Sequence, residues 1–320
     1  MAEIIARVTD EMLRRQIAGR LRLAFDTDDR AETAGLDARL IVAHALACRP
    51  EDLGTAGKLE VPPDAERLAL ALAARRAAGE PIARLTARKE FYGLDLALSD
   101  DTLIPRPDTE TLVDAALAAV ERMGARLRRL TVLDLGTGAG GILLALLAQL
   151  PHAIGVGVDL SSDAVATAKR NARDLNLDDR SSFVVGDWAT AIGGRFDFVV
   201  ANPPYIPSAD IDLLPIEVCR HDPRLALDGA DDGLAAYRMI LPILPGLVTE
   251  DGLAFMEIGY DQAAAVCEMA ASGDFHRKVF RDLGGRDRVI ELTPRRAPGE
   301  AVKSDSDDWK MGLGNQARNG

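Results

Sequence analysis

The stretch Val132-Leu133-Asp134-Leu135-Gly136-Thr137-Gly138-Ala139-Gly140-Gly141 passes from an aliphatic run into a glycine-rich turn, and residues 142–150 follow as an unbroken apolar segment. Residues 131–135 have the β-branched and aliphatic character of a strand. Residues 142–150 are apolar all round, as a helix buried between other elements must be. Glycines between the two permit a tight turn and let the backbone approach a ligand closely. The first N–H groups of the helix and its partial positive charge face that ligand. The spacing Gly136-x-Gly138-x-Gly140 is one residue tighter than G-x-G-x-x-G, and Gly141 would restore it. At this point the turn admits either a nicotinamide dinucleotide or another adenosine cofactor.

Downstream the same alternation continues. Strands are predicted at 154–159, 182–185, 196–201, 253–258 and 289–292, with helices at 161–176, 235–248 and 262–271. Apolar strands alternating with helices predict an α/β, Rossmann-like fold, a parallel sheet covered on both faces. The second strand ends at Asp159, where a carboxylate can accept from two ribose hydroxyls or cap the helix that follows. The third ends in Gly186-Asp187-Trp188, where a flat ring can stack on adenine or serve in the core.

The fourth strand runs directly into Asn202-Pro203-Pro204-Tyr205. Ligands of open α/β sheets bind outside the carboxyl ends of the strands, so this tetrapeptide belongs beside the cofactor turn. An amide or exocyclic-amine nitrogen is a poor nucleophile because its lone pair is delocalised. The Asn202 oxygen and a neighbouring backbone carbonyl can accept its two N–H groups and aim the lone pair. Pro203 and Pro204 lack N–H donors and hold φ fixed. The Tyr205 ring can lie against a flat substrate group. The set predicts methyl transfer from S-adenosylmethionine to a planar nitrogen, and it separates the chain from dehydrogenases. Asn202 and Tyr205 are the candidate catalytic residues, and Asn202, Pro203, Pro204 and Tyr205 the candidate substrate-binding set. Gly136, Thr137, Gly138, Ala139, Gly140, Asp159, Trp188 and Asn202 are the candidate cofactor-binding set. Because the sulfonium is already a strong leaving group, position matters more than acid–base help, and no metal is expected. The tetrapeptide alone does not choose between a glutamine amide and a nucleic-acid base. An adenine or cytosine amino-methyltransferase, or an inactive cofactor-binding module, therefore stand as alternatives.

The bulk composition narrows the choice. The 320 residues carry a net charge of −12, and nearly all of the acidic excess falls in residues 80–296, the part that bears these motifs. A nucleic-acid binder wants a basic stripe, so no direct nucleic-acid partner is expected. The absence of an eighteen-residue apolar run argues against a membrane span. Met1-Ala2-Glu3-Ile4 lacks the order of a secretory signal. Three scattered cysteines, Cys48, Cys219 and Cys267, have no metal spacing and read as buried or free thiols, so a cytoplasmic protein is expected; a monomer is the expected state.

Residues 1–79 read as a small helical bundle. Its apolar stripes are Leu13, Ile17 and Leu21, then Leu36, Leu40, Ile41 and His44, then Leu68 and Leu72. His44 reads as a helix-packing histidine and Arg75-Arg76 as a solvated helix end. Residues 80–107 suggest two short strands turning near Gly93, and Asp108 or Thr109 can cap the next helix. Glu257, at a strand end, reads as structural. Residues 297–320 have the composition of a disordered tail, with Trp309 and Met311 as its isolated large apolar residues.

Assembled, the chain resembles the release-factor glutamine methyltransferases, the PrmC or HemK family, over nearly all of residues 10–295. The resemblance is carried by Asp37-Ala38-Arg39-Leu40-Ile41-Val42-Ala43-His44, by Glu80-Pro81-Ile82-Ala83-Arg84-Leu85-Thr86 with Glu90-Phe91, and by Leu103-Ile104-Pro105-Arg106-Pro107-Asp108-Thr109-Glu110. His221-Asp222-Pro223-Arg224-Leu225-Ala226-Leu227-Asp228-Gly229 and Asp232-Gly233-Leu234 complete it. It implies a seven-stranded class I methyltransferase domain over 108–296, a helical substrate-docking domain over 1–79 and a linking β-hairpin over 80–107. The implied substrate is the glutamine of the Gly-Gly-Gln tip of class-1 peptide chain release factors, with S-adenosylhomocysteine as by-product. In the cofactor turn, Ala139 and Gly141 replace the family's more usual Thr and Ala. Ala87 and Ala230 stand where the family favours glycine, and a positive φ at either would cost about 1 kcal/mol.

Overall fold

In chain order the helices and strands begin with α1 (Asp10–Ala24), α2 (Arg30–Ala45), α3 (Pro63–Ala77) and α4 (Ile82–Thr86), then the hairpin β1 (Arg88–Phe91) and β2 (Leu94–Ala97). Next come α5 (Glu110–Arg122), β3 (Thr131–Leu135), α6 (Gly141–Gln149), β4 (Ile154–Asp159), α7 (Ser162–Asp174), β5 (Ser181–Val185) and β6 (Phe196–Ala201). The rest are α8 (Ile216–Cys219), α9 (Ala235–Ile240), α10 (Leu244–Leu247), β7 (Val248–Glu257), α11 (Ala263–Ala271), β8 (Phe275–Arg281) and β9 (Asp287–Pro294). The structure, a computed structural model, describes residues 8–25, 30–54, 59–190, 192–271, 273 and 275–295. The segment 297–320, with Trp309 and Met311, lies outside the described residues.

The chain divides into two compact units, Met1–Arg88 with Leu214–Asp222, and Lys89–Leu213 with Pro223–Gly320. In the smaller unit α1 buries Leu13, Ile17 and Leu21, the predicted stripe. The other two stripes are displaced. Leu36 and His44 are exposed, and α2 packs through Ala34, Asp37, Ala38, Ile41 and Val42. Leu68 is likewise exposed, and α3 packs through Ala69, Leu72, Ala73 and Arg76. Small residues bring the helices close, so alanine rather than leucine marks the inner face. Arg76 is no solvated end. It is buried, donates to Asp37 at 2.7 Å, pairs with Glu217 and lies over the Phe25 ring. Burial raises the Asp37 carboxyl against the opposing pull of Arg76. Arg84 donates to Asp222 at 2.8 Å. Arg76 and Arg84 thus clamp the distant segment Leu214–Asp222 into the bundle.

The larger unit is built on a seven-stranded sheet in the order β5-β4-β3-β6-β7-β9-β8. The five strands from β5 to β7 are parallel, as predicted, but β9 pairs antiparallel with both β7 and β8. A short turn can join β8 to β9 only as antiparallel neighbours. Helices α5, α6 and α7 pack on one face in a core that includes Phe91 and Leu96 of the hairpin, and α9, α10 and α11 contribute to the core of the other. Helix α6 is buried throughout Gly141–Leu147, as its apolar sequence requires. The helix predicted over 235–248 is broken into α9 and α10 by Pro242 and Pro245, which cannot donate within a helix. Ala87 and Ala230 do adopt positive φ, 51° and 65°, so both carry the strain that glycine would avoid.

Candidate active site

Strands β3 and β6 are sheet neighbours although not consecutive, and the direction of winding reverses after β5, which puts the switch between β3 and β6. Such a switch point is where α/β sheets bind ligands. A cavity of about 350 Å³ opens there, within the usual size range of small-molecule sites. It is lined by Gly136, Thr137, Gly138 and Ala139, by Asp159, by Trp188, and by Asn202 and Pro204. Of the candidate site residues it brings these eight together. Gly140, Pro203 and Tyr205 do not line it. Gly140, at φ 85°, is the N-cap of α6 and sits against Leu144, Ala168 and Phe183. Pro203 is buried.

The turn is held by its own chain. Gly136, Gly138 and Gly140 all have positive φ, and Gly138 N–H donates to Asp159 Oδ2 at 2.8 Å. Ser161 N–H donates to Asp159 Oδ1 at 3.0 Å. Each carboxylate oxygen has two lone-pair directions, so Asp159 clamps the turn and still has acceptor capacity on the cavity side. It does not cap α7. That cap is Ser161, whose hydroxyl accepts from Asp163 and Ala164 N–H. Ala139 lines the cavity with an N–H that no described residue accepts. Trp188 takes φ 48°, strained for a bulky side chain. Its ring edge lies 3.7 Å from where a Cβ on Gly136 would be, so the indole walls the cavity rather than only filling the core.

The tetrapeptide is anchored from behind. Asn202 Nδ2 donates to Thr109 Oγ1 at 3.1 Å. Thr109 was a candidate helix cap, yet its side chain makes no cap hydrogen bond to α5. Tyr205 turns its hydroxyl inward and donates to Glu257 Oε1 at 3.2 Å, and its ring packs against the core on the α9 face. Burial, then the Glu257 charge, pushes the Tyr205 hydroxyl well above its usual range. Glu257 is itself buried, with Oε2 unpartnered among the described residues. Burial raises it to about 7, against the Thr109 hydrogen bond, the Arg288 charge and the Tyr205 hydrogen bond.

Three further residues hold the site and escaped sequence reading. Asp134 is fully buried behind the turn and accepts from Thr137 Oγ1 at 2.6 Å; burial raises it to about 7. Asn171 accepts from Ala97 N–H and donates to Ala97 O and Ala139 O, at 2.8, 3.0 and 2.8 Å. It ties the hairpin to the cofactor turn. An asparagine among the apolar positions of α7 was the signal available for it. Gln262 Nε2 donates to Tyr205 O at 2.9 Å and to Gly233 O at 3.3 Å, and nothing in its local sequence marks it. Pro105, Arg106 and Thr109 also line the cavity.

A doubly wound sheet with a glycine-rich turn, a carboxylate at the end of the neighbouring strand and an Asn-Pro-Pro-Tyr rim at one switch point defines a methyltransferase. Residues 110–215 match the methyltransferase small domain family, and residues 20–86 the PrmC N-terminal domain. The chain is 47% identical over 264 residues to the release factor glutamine methyltransferase of Rhodospirillum rubrum, covering 82% of this chain and 79% of that one. It is 44% identical over 283 residues to the protein of the same name from Bradyrhizobium diazoefficiens, covering 88% and 93%. The chain belongs to the release factor glutamine methyltransferase family. The catalytic domain of hMettl16 shares the fold at 17% identity, with a TM-score of 0.52 over 70% of this chain and 82% of that one. No helix among the described residues is long and apolar enough to cross a membrane.

Proposed function

We propose that this enzyme methylates the side-chain amide nitrogen of the glutamine in the Gly-Gly-Gln motif of class-1 peptide chain release factors, giving N5-methylglutamine. The observation that carries this reading is that Asn202 and Pro204 line the same cavity as the Gly136–Ala139 turn and Asp159. The cavity suits S-adenosylmethionine. Its charged lining is Asp101, Asp159, Asp187 and Arg106, a net negative wall for a ligand bearing sulfonium and ammonium cations. Asp159 faces a ribose, the Trp188 ring an adenine, and the Ala139 N–H a carboxylate. When bound, S-adenosylmethionine supplies an electrophilic methyl on its sulfonium.

The chain's own task is orientation. The Asn202 oxygen accepts one N–H of the substrate amide, and a backbone carbonyl of the tetrapeptide accepts the other. The lone pair is thereby turned toward the methyl at the turn side of the cavity. Holding both partners in one cavity replaces an encounter in solution by a preset approach, an effect that reaches about 7–11 kcal/mol in well-oriented systems. Tyr205, directed at Glu257, acts by fixing the loop that carries Asn202. The smaller unit is assigned the docking of the release factor, and the catalytic unit acts as a monomer without a metal or a nucleic-acid partner.

The test offers the enzyme labelled S-adenosylmethionine with a release factor, its Gln→Ala variant at the motif, DNA and RNA separately. Label on the release factor alone is expected. Label on the Gln→Ala variant or on nucleic acid would overturn the substrate assignment, and no label on any of them would overturn the enzymatic one.

A further inference from the structure

The cofactor turn commits nearly all of its N–H groups to its own chain. Gly136 and Thr137 both donate to Val158 O at 2.9 Å, Gly138 to Asp159 Oδ2 at 2.8 Å, and Gly140 to Thr137 O at 2.8 Å. Ala139 N–H is accepted by no described residue, and Ala139 lines the cavity. It is the group left to meet a carboxylate, and it stands at the start of a helix, where anions are favoured. Its direction is fixed by a tether on either side. Gly138 N–H is tied to Asp159, and Ala139 O accepts from Asn171 Nδ2 at 2.8 Å.

Asn171 stands inside α7, where asparagine is a poor helix former because its side chain competes with the backbone. It is 1% exposed, so its amide must find its partners within the chain. Its oxygen accepts from Ala97 N–H at 2.8 Å, one Nδ2 proton goes to Ala97 O at 3.0 Å, and the other to Ala139 O. Both protons are thereby committed. A leucine in its place would make none of these bonds, and an ionised aspartate could make only the first. Ala97 ends β2, and the chain beyond it supplies Asp101, Leu103, Pro105 and Arg106 to the cavity. The N-cap of α7 holds that segment a second time, because Ser161 Oγ donates to Asp101 Oδ2 at 2.6 Å. One helix with its cap thus sets both the turn and a further part of the cavity wall.

We propose that Asn171 is a positioning residue for the amino-acid end of the cofactor, holding Ala139 so that its N–H meets the cofactor's carboxylate. This rests on the reading that S-adenosylmethionine occupies the cavity. The adenosine end has its own groups, Asp159 and the Trp188 ring, and the hydrogen bonds of Asn171 go to neither. Loosening Asn171 therefore acts on one half of the ligand. Two ligands separate the halves. S-adenosylhomocysteine carries both the adenosine and the amino-acid carboxylate, whereas 5′-methylthioadenosine keeps the adenosine and the sulfur and lacks the carboxylate.

The test measures the Kd of both ligands by calorimetry, together with Tm, for the full chain as wild type, Asn171→Leu, Asn171→Asp and Val165→Ala. The two Asn171 variants are expected to weaken S-adenosylhomocysteine by about 10- to 100-fold, the worth of one hydrogen bond to a charged group. The Kd of 5′-methylthioadenosine should stay within about twofold of wild type. Val165→Ala truncates a buried residue of the same helix that makes none of these hydrogen bonds, so it should lower Tm and leave both affinities alone. Unchanged S-adenosylhomocysteine affinity in Asn171→Leu, or in Asn171→Asp should the leucine variant not fold, would overturn the positioning role. An equal loss for both ligands would overturn it too, as would failure of both Asn171 variants to fold while Val165→Ala folds, since Asn171 would then be a structural residue. A wild type that binds the two ligands equally would overturn instead the cofactor placement beneath the proposal, because no carboxylate would then be held.

Discussion

Gly233→Ala tests how firmly the catalytic rim is braced. Gly233 sits at φ 73°, and a Cβ there would lie 2.4 Å from Tyr205 O and 2.6 Å from Gln262 Nε2. The left-handed backbone costs alanine about 1–2 kcal/mol. Breaking the Gln262–Tyr205 hydrogen bond leaves a buried donor unmade, about 1–3 kcal/mol. The less flexible unfolded chain returns about 0.4–1 kcal/mol. The net loss is roughly 2–4 kcal/mol, which in a chain of this size lowers Tm by about 5–15 °C. The activity effect is separate. Tyr205 O is backbone of the tetrapeptide, so it can retreat only by moving the rim, and a shift approaching 1 Å costs on the order of 100-fold in rate. The assay is a thermal melt with kcat measured well below the melting point. Gly246→Ala, with nothing within 4 Å, serves as the control. A Gly233→Ala enzyme with wild-type Tm and kcat would refute the bracing argument.

Trp188→Ala removes a cavity wall, so the KM of S-adenosylmethionine should rise about tenfold, equivalent to ~1.4 kcal/mol, with kcat within a few-fold; steady-state kinetics at saturating protein substrate decide it. Arg76→Ala leaves Asp37 buried and uncompensated and should destabilise the protein by about 3–5 kcal/mol in urea titration. Asp134 titrates near 7 when folded against an ordinary carboxylate value when unfolded. The folded state therefore binds the extra proton between about pH 4 and 7, and stability falls as pH rises through that window. Asp134→Asn should weaken this slope, and Glu257, with the same sign, should retain the remainder; urea midpoints measured from pH 5 to 8 would show an unchanged slope if the assignment were wrong.

The sheet was legible because its strands are locally emphatic. Thr131–Leu135, Ile154–Asp159 and Phe196–Ala201 follow the apolar runs residue for residue. Strand β8 left no such trace. It is an edge strand carrying His276, Arg277, Lys278 and Arg281, and charge is what edge strands use to discourage pairing with other chains. The candidate site was legible where residues touch the cavity, at the glycine turn, Asp159, Trp188 and Asn202. It was illegible where residues act from behind. Thr109, Asn171, Glu257 and Gln262 are joined to the site by contacts spanning long stretches of chain, and no local pattern encodes such partners. The bundle is harder to read for another reason: its inner faces are lined by Ala34, Ala38, Ala69 and Ala73, while Leu36 and Leu68 are exposed.

The polypeptide leaves the larger unit after Leu213, contributes Leu214–Asp222 to the bundle, and comes back at Pro223, a residue of the cavity wall. No single cut can therefore separate the two units cleanly. A truncation starting at Lys89 would strand Glu217 and Asp222 without Arg76 and Arg84 and slacken the thread that returns to the catalytic rim. The chain thus crosses from one unit to the other three times, after Arg88, Leu213 and Asp222, and damage to the bundle's helices should surface as lost turnover even where every residue lining the candidate cavity is intact.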